Sequence, residues 1–406
     1  MALNLLEQYA LRFEGAIASV IQSAAQIESF AKRLDDSNLD AADVKNVMAL
    51  DLIPIVAKDD LVDLQAHEPP FGGLISAAFK PTRVFQSPGP LYEAQRGGAD
   101  PWRWGPALTA AGFGAGDVVF NAFSYHLSPA GAMFEEAALA LGATVVPGGV
   151  GSLELQARAC RDLGVTSYIG LPSYLKALWD AAESEDLHPQ EWGLRRAFLA
   201  AEPLPESTRA WLEERIPVVR QGYGTAETGN LGFECDEVDG WHVPEDALVT
   251  ICDLNTGRAN WNGEEGQIVV TLLSVDSPLI RFGTGDLSRW VDEACPCGRK
   301  TPRLAGWLGR VGEAVKVRGM FLHPRQVSAV MAKIPDVRDY RFIIDRANHK
   351  DALRCEVVPK EGLDRETVRT KVRDRVRSGL RFDVDVKIVD RLNGDDKKVV
   401  DSRDWR

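Results

Sequence analysis

Between residues 116 and 200 the sequence alternates short apolar stretches with helical segments. The apolar stretches are Asp117–Phe120, Ala143–Pro147, Ser167–Gly170 and Arg196–Ala200, and helical patterns at Pro129–Leu141 and Leu153–Asp162 lie between them. A strand that is apolar along its whole length must be covered on both faces, and helices between such strands supply that cover. The pattern therefore predicts an α/β fold with parallel sheets covered by helices.

Regions of different character flank this part of the chain. Residues 1 to about 50 are predicted to be helical, because apolar side chains such as Leu5, Tyr9 and Phe13 recur every three or four positions. After Gly232 the pattern changes to strands and turns, and after Gly309 a small α+β unit of roughly a hundred residues follows. A chain of 406 residues is too long for one hydrophobic core. We expect two domains, residues 1–308 and 309–406.

Composition excludes several classes of partner. The net charge of −12 and the absence of a basic stripe argue against nucleic-acid binding. No apolar run reaches the roughly 18 residues that a membrane span needs, and the N-terminus lacks the basic and apolar parts of a signal peptide. We therefore expect a cytoplasmic protein without a membrane partner.

Two glycine-containing segments carry candidate functional carboxylates. Glu227 lies in Gln221-Gly-Tyr-Gly-Thr-Ala-Glu-Thr-Gly, predicted as a loop after the strand Pro217–Arg220, and Asp286 lies in Arg281-Phe-Gly-Thr-Gly-Asp-Leu. Ligands bind at the carboxyl ends of parallel strands, and glycine lets the backbone approach a phosphate or a flat ring closely. By itself, the Glu227 segment is equally compatible with a plain turn, and the Asp286 segment is better explained as a β-turn with a solvated aspartate.

Several further motifs accompany these two in a fixed order. They are Asp51-Leu-Ile-Pro-Ile-Val-Ala-Lys-Asp-Asp-Leu, Leu141-Gly-Ala-Thr-Val-Val-Pro, Leu171-Pro-Ser-Tyr, Ala201-Glu-Pro, Tyr223-Gly-Thr-Ala-Glu, Cys295-Pro-Cys-Gly-Arg, Gly309-Arg and Arg318-Gly-Met-Phe-Leu-His-Pro. With them the chain resembles the phenylacetate–CoA ligase family, a branch of the adenylate-forming enzymes, from near its N-terminus to its end. The resemblance implies a large acyl- and nucleotide-binding domain, a small mobile C-terminal lid and a homodimer. It also implies a two-step reaction, in which an aryl or other hydrophobic carboxylate reacts with ATP to give an acyl-adenylate that a CoA thiol then attacks.

The resemblance also implies roles for individual residues. The nucleotide would be bound by Tyr223, Gly224, Thr225, Asp286 and Arg310, with Asp286 on the ribose hydroxyls and Arg310 at the hinge to the lid. Glu227 would help to hold Mg²⁺, and Lys397 and Lys398 are the candidates for the lysine that acts in adenylation. The acyl pocket would be shaped by Tyr125, His126, Ala201 and Gly222, although a structural role fits His126 equally well.

The phosphate loop departs from the family pattern. The family carries a Ser/Thr- and Gly-rich stretch that ends in lysine, whereas this chain has Gln86-Ser-Pro-Gly-Pro-Leu-Tyr-Glu. Pro88 and Pro90 lack amide donors, and Glu93 stands about where the lysine is expected. A carboxylate that faces a triphosphate weakens its binding.

Three more departures concern the same chemistry. Ala226 replaces the threonine before Glu227, Gly312 replaces the hinge aspartate with Glu313 beside it, and Gly394 is followed by Asp395 and Asp396, which displaces Lys397 and Lys398. All four departures affect triphosphate binding or adenylation. They predict that the AMP site is kept while ATP binding is weakened, so ATP–pyrophosphate exchange should be slow.

A structural zinc site is predicted from two ligand pairs. Cys295 and Cys297 are two positions apart, and Cys235 and His242 are seven apart. Structural zinc takes four thiolate or imidazole ligands, and family members often carry a cysteine and a histidine at the second pair. Cysteines placed by chance are the alternative.

Three functions stay open on the sequence. The first is an ATP-dependent acid–thiol ligase that joins an aryl or hydrophobic acid to CoA. The second is an ATP-independent acyltransferase on the same scaffold, which would move an acyl group from a CoA thioester to a carrier-protein pantetheine. The third is a non-catalytic acyl- or nucleotide-binding protein, and the retention of Glu227, Asp286 and Arg310 argues against it.

Overall fold

The chain divides into two compact units, Met1–Val311 and Gly312–Arg406. The computed structural model describes residues 4–87, 89–274, 277–291, 293–311, 315–318, 320–322, 324–347, 350–392 and 397–403. Each unit has hydrophobic clusters of its own.

The larger unit contains a long mixed sheet. Its helices are α1 (Leu5–Ala24), α2 (Glu28–Asp36), α3 (Lys58–His67), α4 (Gly105–Ala110), α5 (Ala130–Ala140), α6 (Leu153–Asp162), α7 (Pro172–Ser184) and α8 (Glu206–Glu213). Its first ten strands are β1 (Val56–Ala57), β2 (Val84–Gln86), β3 (Tyr92–Ala94), β4 (Val118–Asn121), β5 (Thr144–Val146), β6 (Ser167–Gly170), β7 (Arg196–Leu199), β8 (Val218–Thr225), β9 (Gly229–Phe233) and β10 (Trp241–His242). Strands β5, β4, β6, β7 and β8 are parallel in that order, and β9 and β10 continue the sheet antiparallel.

A second sheet completes this unit. The remaining strands are β11 (Ala247–Cys252), β12 (Gly266–Leu272), β13 (Leu279–Ser288), β14 (Trp290–Val291), β15 (Arg303–Leu304) and β16 (Gly309–Arg310). Strands β1, β13, β12 and β11 form the second sheet, with β16 paired to β13, while β15 and β14 extend the first sheet beyond β10. The two sheets bring the ends of β8 and β13, which carry the candidate nucleotide residues, into the same unit.

The N-terminal helix packs on the second sheet. Asn4 accepts a hydrogen bond from the Glu7 backbone N–H, and the Glu7 carboxylate accepts one from the Asn4 N–H, so a reciprocal capping pair starts α1. The buried face of α1 includes Tyr9, whose hydroxyl donates to the Ala247 carbonyl over 2.7 Å. The predicted amphipathic helix is thus joined to strand β11.

The smaller unit is an α+β module. It contains β17 (Val315–Val317), β18 (Met320–Leu322), α9 (Pro324–Met331), β19 (Val337–Ala347), β20 (Lys350–Pro359), α10 (Arg365–Leu380), β21 (Asp385–Ile388) and β22 (Val399–Asp401). Its four-stranded sheet has the order β21, β20, β19, β22. Val368, Val372 and Val376 of α10 are buried in its core.

The structure confirms the predicted α/β class with covered parallel strands and a small α+β C-terminal unit. One local prediction was wrong. The glycine-containing segment Gln221–Thr225 is not a loop but the second half of β8, because it pairs with β9 from Gly222↔Phe233 to Thr225↔Gly229. The glycines of this segment are typical of a turn, and the residue types do not reveal the pairing with β9 that makes the segment a strand.

Candidate active site

A tight hairpin places Glu227. Strands β8 and β9 leave only residues 226–228 between them, and the left-handed backbone at Gly229, with φ of +74°, turns the chain back. A Cβ at Gly229 would lie 2.3 Å from the Trp102 carbonyl oxygen, so the hairpin lies directly on that segment. The Asn230 side-chain amide donates to the Arg103 carbonyl over 3.0 Å. The position of Glu227 is therefore fixed by both strands and by the segment beneath them.

Glu227 forms a buried ion pair with a residue for which the sequence analysis assigned no role. The Lys58 ammonium lies 2.5 Å from Glu227 Oε1, and the two side chains are only 17% and 6% exposed. Burial would raise the pKa of Glu227, but the Lys58 charge holds it below the usual value. Lys58 is the first residue of α3, where the helix dipole disfavours a cation, so the carboxylate compensates for an unfavourable position.

The predicted phosphate loop lies beside this ion pair. It connects β2 to β3, and a Cβ at Gly89 of this loop would lie 2.9 Å from Lys58 Nζ. Glu93 follows on β3, opposite Phe85. The loop that lacks its own lysine therefore has the ammonium group of Lys58 against its backbone.

The environment of Glu93 alters the charge that its sequence position predicts. Burial and the nearby Glu227 carboxylate raise the pKa of Glu93 to about 8. The carboxyl group is then mostly protonated at pH 7, and a neutral acid does not repel a triphosphate. A cavity of about 70 Å³, lined by Glu93, Arg96, Ala226 and Glu227 among others, leaves room beside both carboxyl groups for a phosphate oxygen or water.

Asp286 lies at the centre of a second polar cluster. Its Oδ2 accepts a hydrogen bond from the Tyr223 hydroxyl over 2.8 Å, and its Oδ1 accepts from Trp307 Nε1 over 3.1 Å. Arg310 Nε lies 2.9 Å from the same Oδ1, in register with Asp286 across the β13–β16 pair. The Tyr223 ring stacks on Trp241, with centroids 5.2 Å apart and planes 4° from parallel. Three of the predicted nucleotide residues are thus brought together, and Trp307 was missed.

The remaining two nucleotide candidates lie on the same hairpin. Gly224 packs so closely that a Cβ there would lie 2.1 Å from the Gly229 carbonyl oxygen. The Thr225 hydroxyl is 2.9 Å from the Thr228 hydroxyl and accepts from the Thr228 backbone N–H. Thr225 therefore braces the hairpin tip beside Glu227.

The four acyl-pocket candidates are distributed over two environments. A Cβ at Gly222 would lie 2.5 Å from Phe198 Cζ and 2.9 Å from Trp104 Cζ3, and Ala201 packs on the same aromatic cluster. The Tyr125 hydroxyl accepts from the Asn121 side-chain amide over 2.8 Å, whereas His126 is exposed. Gly222 and Ala201 thus lie against aromatic rings. Because His126 is exposed, it does not fit the partly buried structural role that was the alternative for it.

The C-terminal candidates belong to the smaller unit. Lys398 Nζ lies 2.6 Å from Asp339 Oδ1 and 5.5 Å from the centre of the Tyr340 ring. Lys397 is exposed. The departures at Pro88, Gly312, Glu313, Gly394, Asp395 and Asp396 lie outside the described residues.

The structure brings the four predicted zinc ligands together. The ligand atoms of Cys235, His242, Cys295 and Cys297 all lie within 4.8 Å of one another. Cys235 Sγ and Cys295 Sγ are 3.6 Å apart, and Cys297 Sγ is 3.3 Å from His242 Nε2. With Zn–S bonds of about 2.3 Å, tetrahedral geometry places ligand atoms roughly 3.5–3.8 Å apart, so the set fits this ion.

The surroundings of His242 suit a metal ligand. Its Nδ1 lies 3.1 Å from the Thr301 carbonyl oxygen, which orients the ring with Nε2 toward the thiols. Burial lowers the pKa of His242 to about 4, so the imidazole is neutral at pH 7, as metal binding requires. The four residues come from the segments after β9, on β10 and between β14 and β15, so a bound ion would join these strands.

Comparisons with known proteins agree with this constellation. The sequence profile of the AMP-binding enzymes matches residues 103–275, and that of the AMP-binding enzyme C-terminal domain matches residues 319–403. The phenylacetate–coenzyme A ligase of Thermus thermophilus is 31% identical over 365 residues, which cover 86% of this chain and 81% of that protein. The chain belongs to the phenylacetate–CoA ligase family. It is an enzyme of the acid–thiol ligase class.

One more ligase sequence and one crystal structure are similar to this chain over most of its length. The phenylacetate–coenzyme A ligase of Aromatoleum evansii is 30% identical over 375 residues, covering 88% of this chain and 84% of that protein. The crystal structure of a 2-hydroxyisobutyryl-CoA ligase in complex with 2-HIB-AMP and CoA matches 98% of this chain and 90% of its own, with a TM-score of 0.89 and 25% identity. Among the residues that the structure describes, no helix is long and apolar enough to cross a membrane.

Two site residues escaped the sequence analysis for different reasons. Lys58 belongs to the family-like segment that begins at Asp51, but its spacing from Glu227 along the chain, 169 residues, hides their contact. Trp307 precedes the Gly309-Arg motif by two positions and carries no charge that would have marked it. The only sequence feature that points to Lys58 or Trp307 is its position within or next to a recognised motif.

Proposed function

We propose that this enzyme activates an aryl carboxylic acid with ATP and transfers the acyl group to the thiol of CoA. The observation that carries the proposal is the cluster of Tyr223, Arg310 and Asp286, which offers a buried carboxylate to a ribose within the same unit as Glu227. The related ligases of known activity act on phenylacetate, and the similar crystal structure holds an acyl-adenylate together with CoA.

Aromatic rings fill the space on the side of Gly222 where a Cβ would lie. That Cβ would be 2.5 Å from Phe198 Cζ and 2.9 Å from Trp104 Cζ3, and both rings are buried. The choice of an aryl acid therefore rests on the phenylacetate–coenzyme A ligases to which this chain is similar, and not on an open pocket at Gly222.

The reaction needs two displacements. In the first, a carboxylate oxygen of the acid attacks the α-phosphorus of ATP, an O–P bond forms, and pyrophosphate leaves with the electrons of the broken bond. In the second, the CoA thiolate attacks the acyl carbon, a C–S bond forms, and AMP leaves. Positive charge next to the polyphosphate lowers the barrier of the first step, since negative charge moves onto the leaving group.

Lys58 is our candidate for this positive charge. Its ammonium lies against the loop at Gly89, where the family's own loop lysine is missing. Mg²⁺, when bound with ATP, neutralises phosphate charge, and one protein carboxylate together with substrate phosphates is a common way to hold it. Glu227 would be that carboxylate, and the raised pKa of Glu93 keeps the second carboxyl neutral beside it.

The test is ATP–pyrophosphate exchange with a panel of acids. We expect exchange with phenylacetate or another aryl acid at a rate above that with acetate, and formation of the CoA thioester. Absence of exchange with every acid, combined with acyl transfer from an aryl-CoA to a pantetheine thiol, would reject the ligase in favour of the acyltransferase. A protein that binds AMP but catalyses neither reaction would be the non-catalytic homologue.

We also propose that the Cys235–His242–Cys295–Cys297 cluster holds one structural Zn²⁺. The four ligand atoms lie within 4.8 Å of one another, and the separations of 3.6 and 3.3 Å between two pairs of them are close to those of a tetrahedral zinc site. Four protein ligands leave no open position for a substrate. The ion would stabilise the end of the first sheet and take no part in the reaction. A homodimer, and a carrier protein as the thiol acceptor, stay predictions that size-exclusion chromatography with light scattering and a carrier-protein transfer assay would test.

A further inference from the structure

Side chains of the protein itself occupy most of the hydrogen-bond acceptor sites of the Asp286 carboxylate. A carboxylate offers about four acceptor sites, two on each oxygen. Oδ1 has two neighbours among the described residues, Trp307 Nε1 at 3.1 Å and Arg310 Nε at 2.9 Å, and Oδ2 accepts from the Tyr223 hydroxyl at 2.8 Å. Two vicinal hydroxyls of a ribose need one acceptor site on each oxygen. Oδ1 has none to give unless one of its two donors leaves.

The three donors are held with unequal strength. Tyr223 is stacked on Trp241, and the Arg310 guanidinium carries a full charge toward the carboxylate and is paired in the β13–β16 ladder. Trp307 is neutral and 38% exposed, whereas Asp286 is 5% exposed. The indole has one N–H, so its only polar tie to this site is the bond to Asp286. Trp307 is the donor that can swing into solvent at the least cost.

We propose that Trp307 is a specificity-determining residue of the nucleotide site, which occupies an acceptor of Asp286 in the empty enzyme and is displaced by the second ribose hydroxyl. The inference rests on the proposed role of Asp286 as the ribose acceptor. The first hydroxyl binds at the open site of Oδ2 without competition. The second binds to Oδ1 only after the indole N–H has left, so part of its binding free energy is lost to that exchange.

This arrangement has a consequence for ligand selectivity. A nucleotide with one ribose hydroxyl avoids the exchange, so the wild-type enzyme distinguishes AMP from 2′-deoxy-AMP only weakly. A phenylalanine at position 307 keeps the aromatic ring but has no N–H to compete. The variant should therefore distinguish the two nucleotides more strongly, by a factor of about ten, the value of one hydrogen bond to a charged group.

The experiment measures AMP, 2′-deoxy-AMP and 3′-deoxy-AMP binding by calorimetry to the wild type and to Trp307→Phe. We expect Trp307→Phe to bind AMP about tenfold more tightly and both deoxynucleotides with little change. Trp192→Phe is the matched control, because it also removes an indole hydrogen bond, to the Leu187 carbonyl, and Trp192 packs on a hydrophobic cluster that contains neither Trp307 nor Asp286. Thermal melting of both variants verifies that they are folded.

The outcomes separate this inference from the function on which it rests. An equal change in affinity for all three nucleotides, or weaker AMP binding with an unchanged AMP to 2′-deoxy-AMP ratio, would show that Trp307 only supports the structure and would overturn the inference. If the wild type does not bind AMP, or binds it and Asp286→Asn leaves the affinity unchanged, the ribose role of Asp286 fails as well. If the ratio of AMP affinity to 2′-deoxy-AMP affinity increases in Trp307→Phe and not in Trp192→Phe, the result supports both the proposed role of Trp307 and the ribose role of Asp286.

Discussion

At the scale of single residues, the site depends on charges whose partners come from distant parts of the chain. The sequence places Glu93 where the family has a lysine and thereby predicts repulsion of a triphosphate. The structure puts Lys58 against the same loop and raises the pKa of Glu93 to about 8. The sign of the local charge thus depends on burial and on a contact, and both are tertiary properties.

Replacement of Lys58 should separate polyphosphate chemistry from nucleotide binding. In Lys58→Ala we expect kcat/KM for ATP in the exchange assay to fall by on the order of 100-fold, since a charge-assisted contact to the reacting phosphates is lost. AMP affinity should change little, because the ribose cluster at Asp286 is intact. Lys80→Ala, which removes an exposed lysine, is the control. Equal losses for ATP and AMP would argue against a polyphosphate role.

Replacement of Glu93 should alter the pH dependence of stability. Because its pKa in the folded protein is about 8, against an ordinary 4.5, the folded state keeps a proton between these values that the unfolded chain has lost. The free energy of unfolding therefore falls as pH rises from 4.5 to 8. Glu93→Gln removes this loss, so its melting temperature should exceed that of the wild type at pH 8.5 and equal it near pH 5. Glu361→Gln, at an exposed position, should show no such pH dependence. A Glu93→Gln difference that is the same at both pH values would contradict the raised pKa.

At the scale of secondary-structure elements, the side chains of the four predicted zinc ligands lie where three very short strands end. Strands β10, β14 and β15 have only two residues each, and such strands have little stability by themselves. The thiol and imidazole groups after β9, on β10 and before β15 converge where these strands end. A metal ion at that point would hold together elements that backbone pairing alone leaves weak.

Loss of one ligand should therefore destabilise this end of the sheet. Purified protein should contain about one equivalent of zinc by elemental analysis, and Cys297→Ser should lower both the zinc content and the melting temperature. Cys160→Ser is the matched control, because Cys160 is a buried cysteine outside the set of predicted ligands and its replacement should leave the zinc content unchanged. Fully stable protein without metal would exclude the site.

At the scale of the whole molecule, each of the two units has its own hydrophobic core. Val317, Phe342 and Val372 belong to the core of the smaller unit, whereas the ribose cluster and the Lys58–Glu227 pair belong entirely to the larger one. The proposed ribose site at Asp286 is thus formed by residues of the larger unit.

Limited proteolysis tests this division. We expect the first cleavage between residues 308 and 320, because the boundary at Val311 separates two independently packed cores and a cut there exposes neither. The measurement is mass spectrometry of the fragments over a time course. Initial cleavage elsewhere, with the 308–320 segment intact in the folded protein, would contradict the predicted domain boundary.

The sequence by itself determined the elements whose signals are local. Apolar runs of four residues became β4, β6 and β7, and the three-to-four spacing from Leu5 became α1, because a strand or helix pattern is visible within one short window. The order of the motifs along the chain was likewise sufficient to identify the family. The two zinc ligand pairs were also visible, since each pair lies within eight residues.

Only the tertiary structure decided which of these residues meet. Gln221–Thr225 became strand because β9 pairs with it, and Lys58 became part of the candidate site because α3 begins beside Glu227 and the loop at Gly89. Trp307 reached Asp286 because β16 pairs with β13 just after it. The contacts of Lys58 and Trp307 join segments about 20 to 170 residues apart, and the pKa of Glu93 depends on burial. A local pattern of residue types contains neither kind of information.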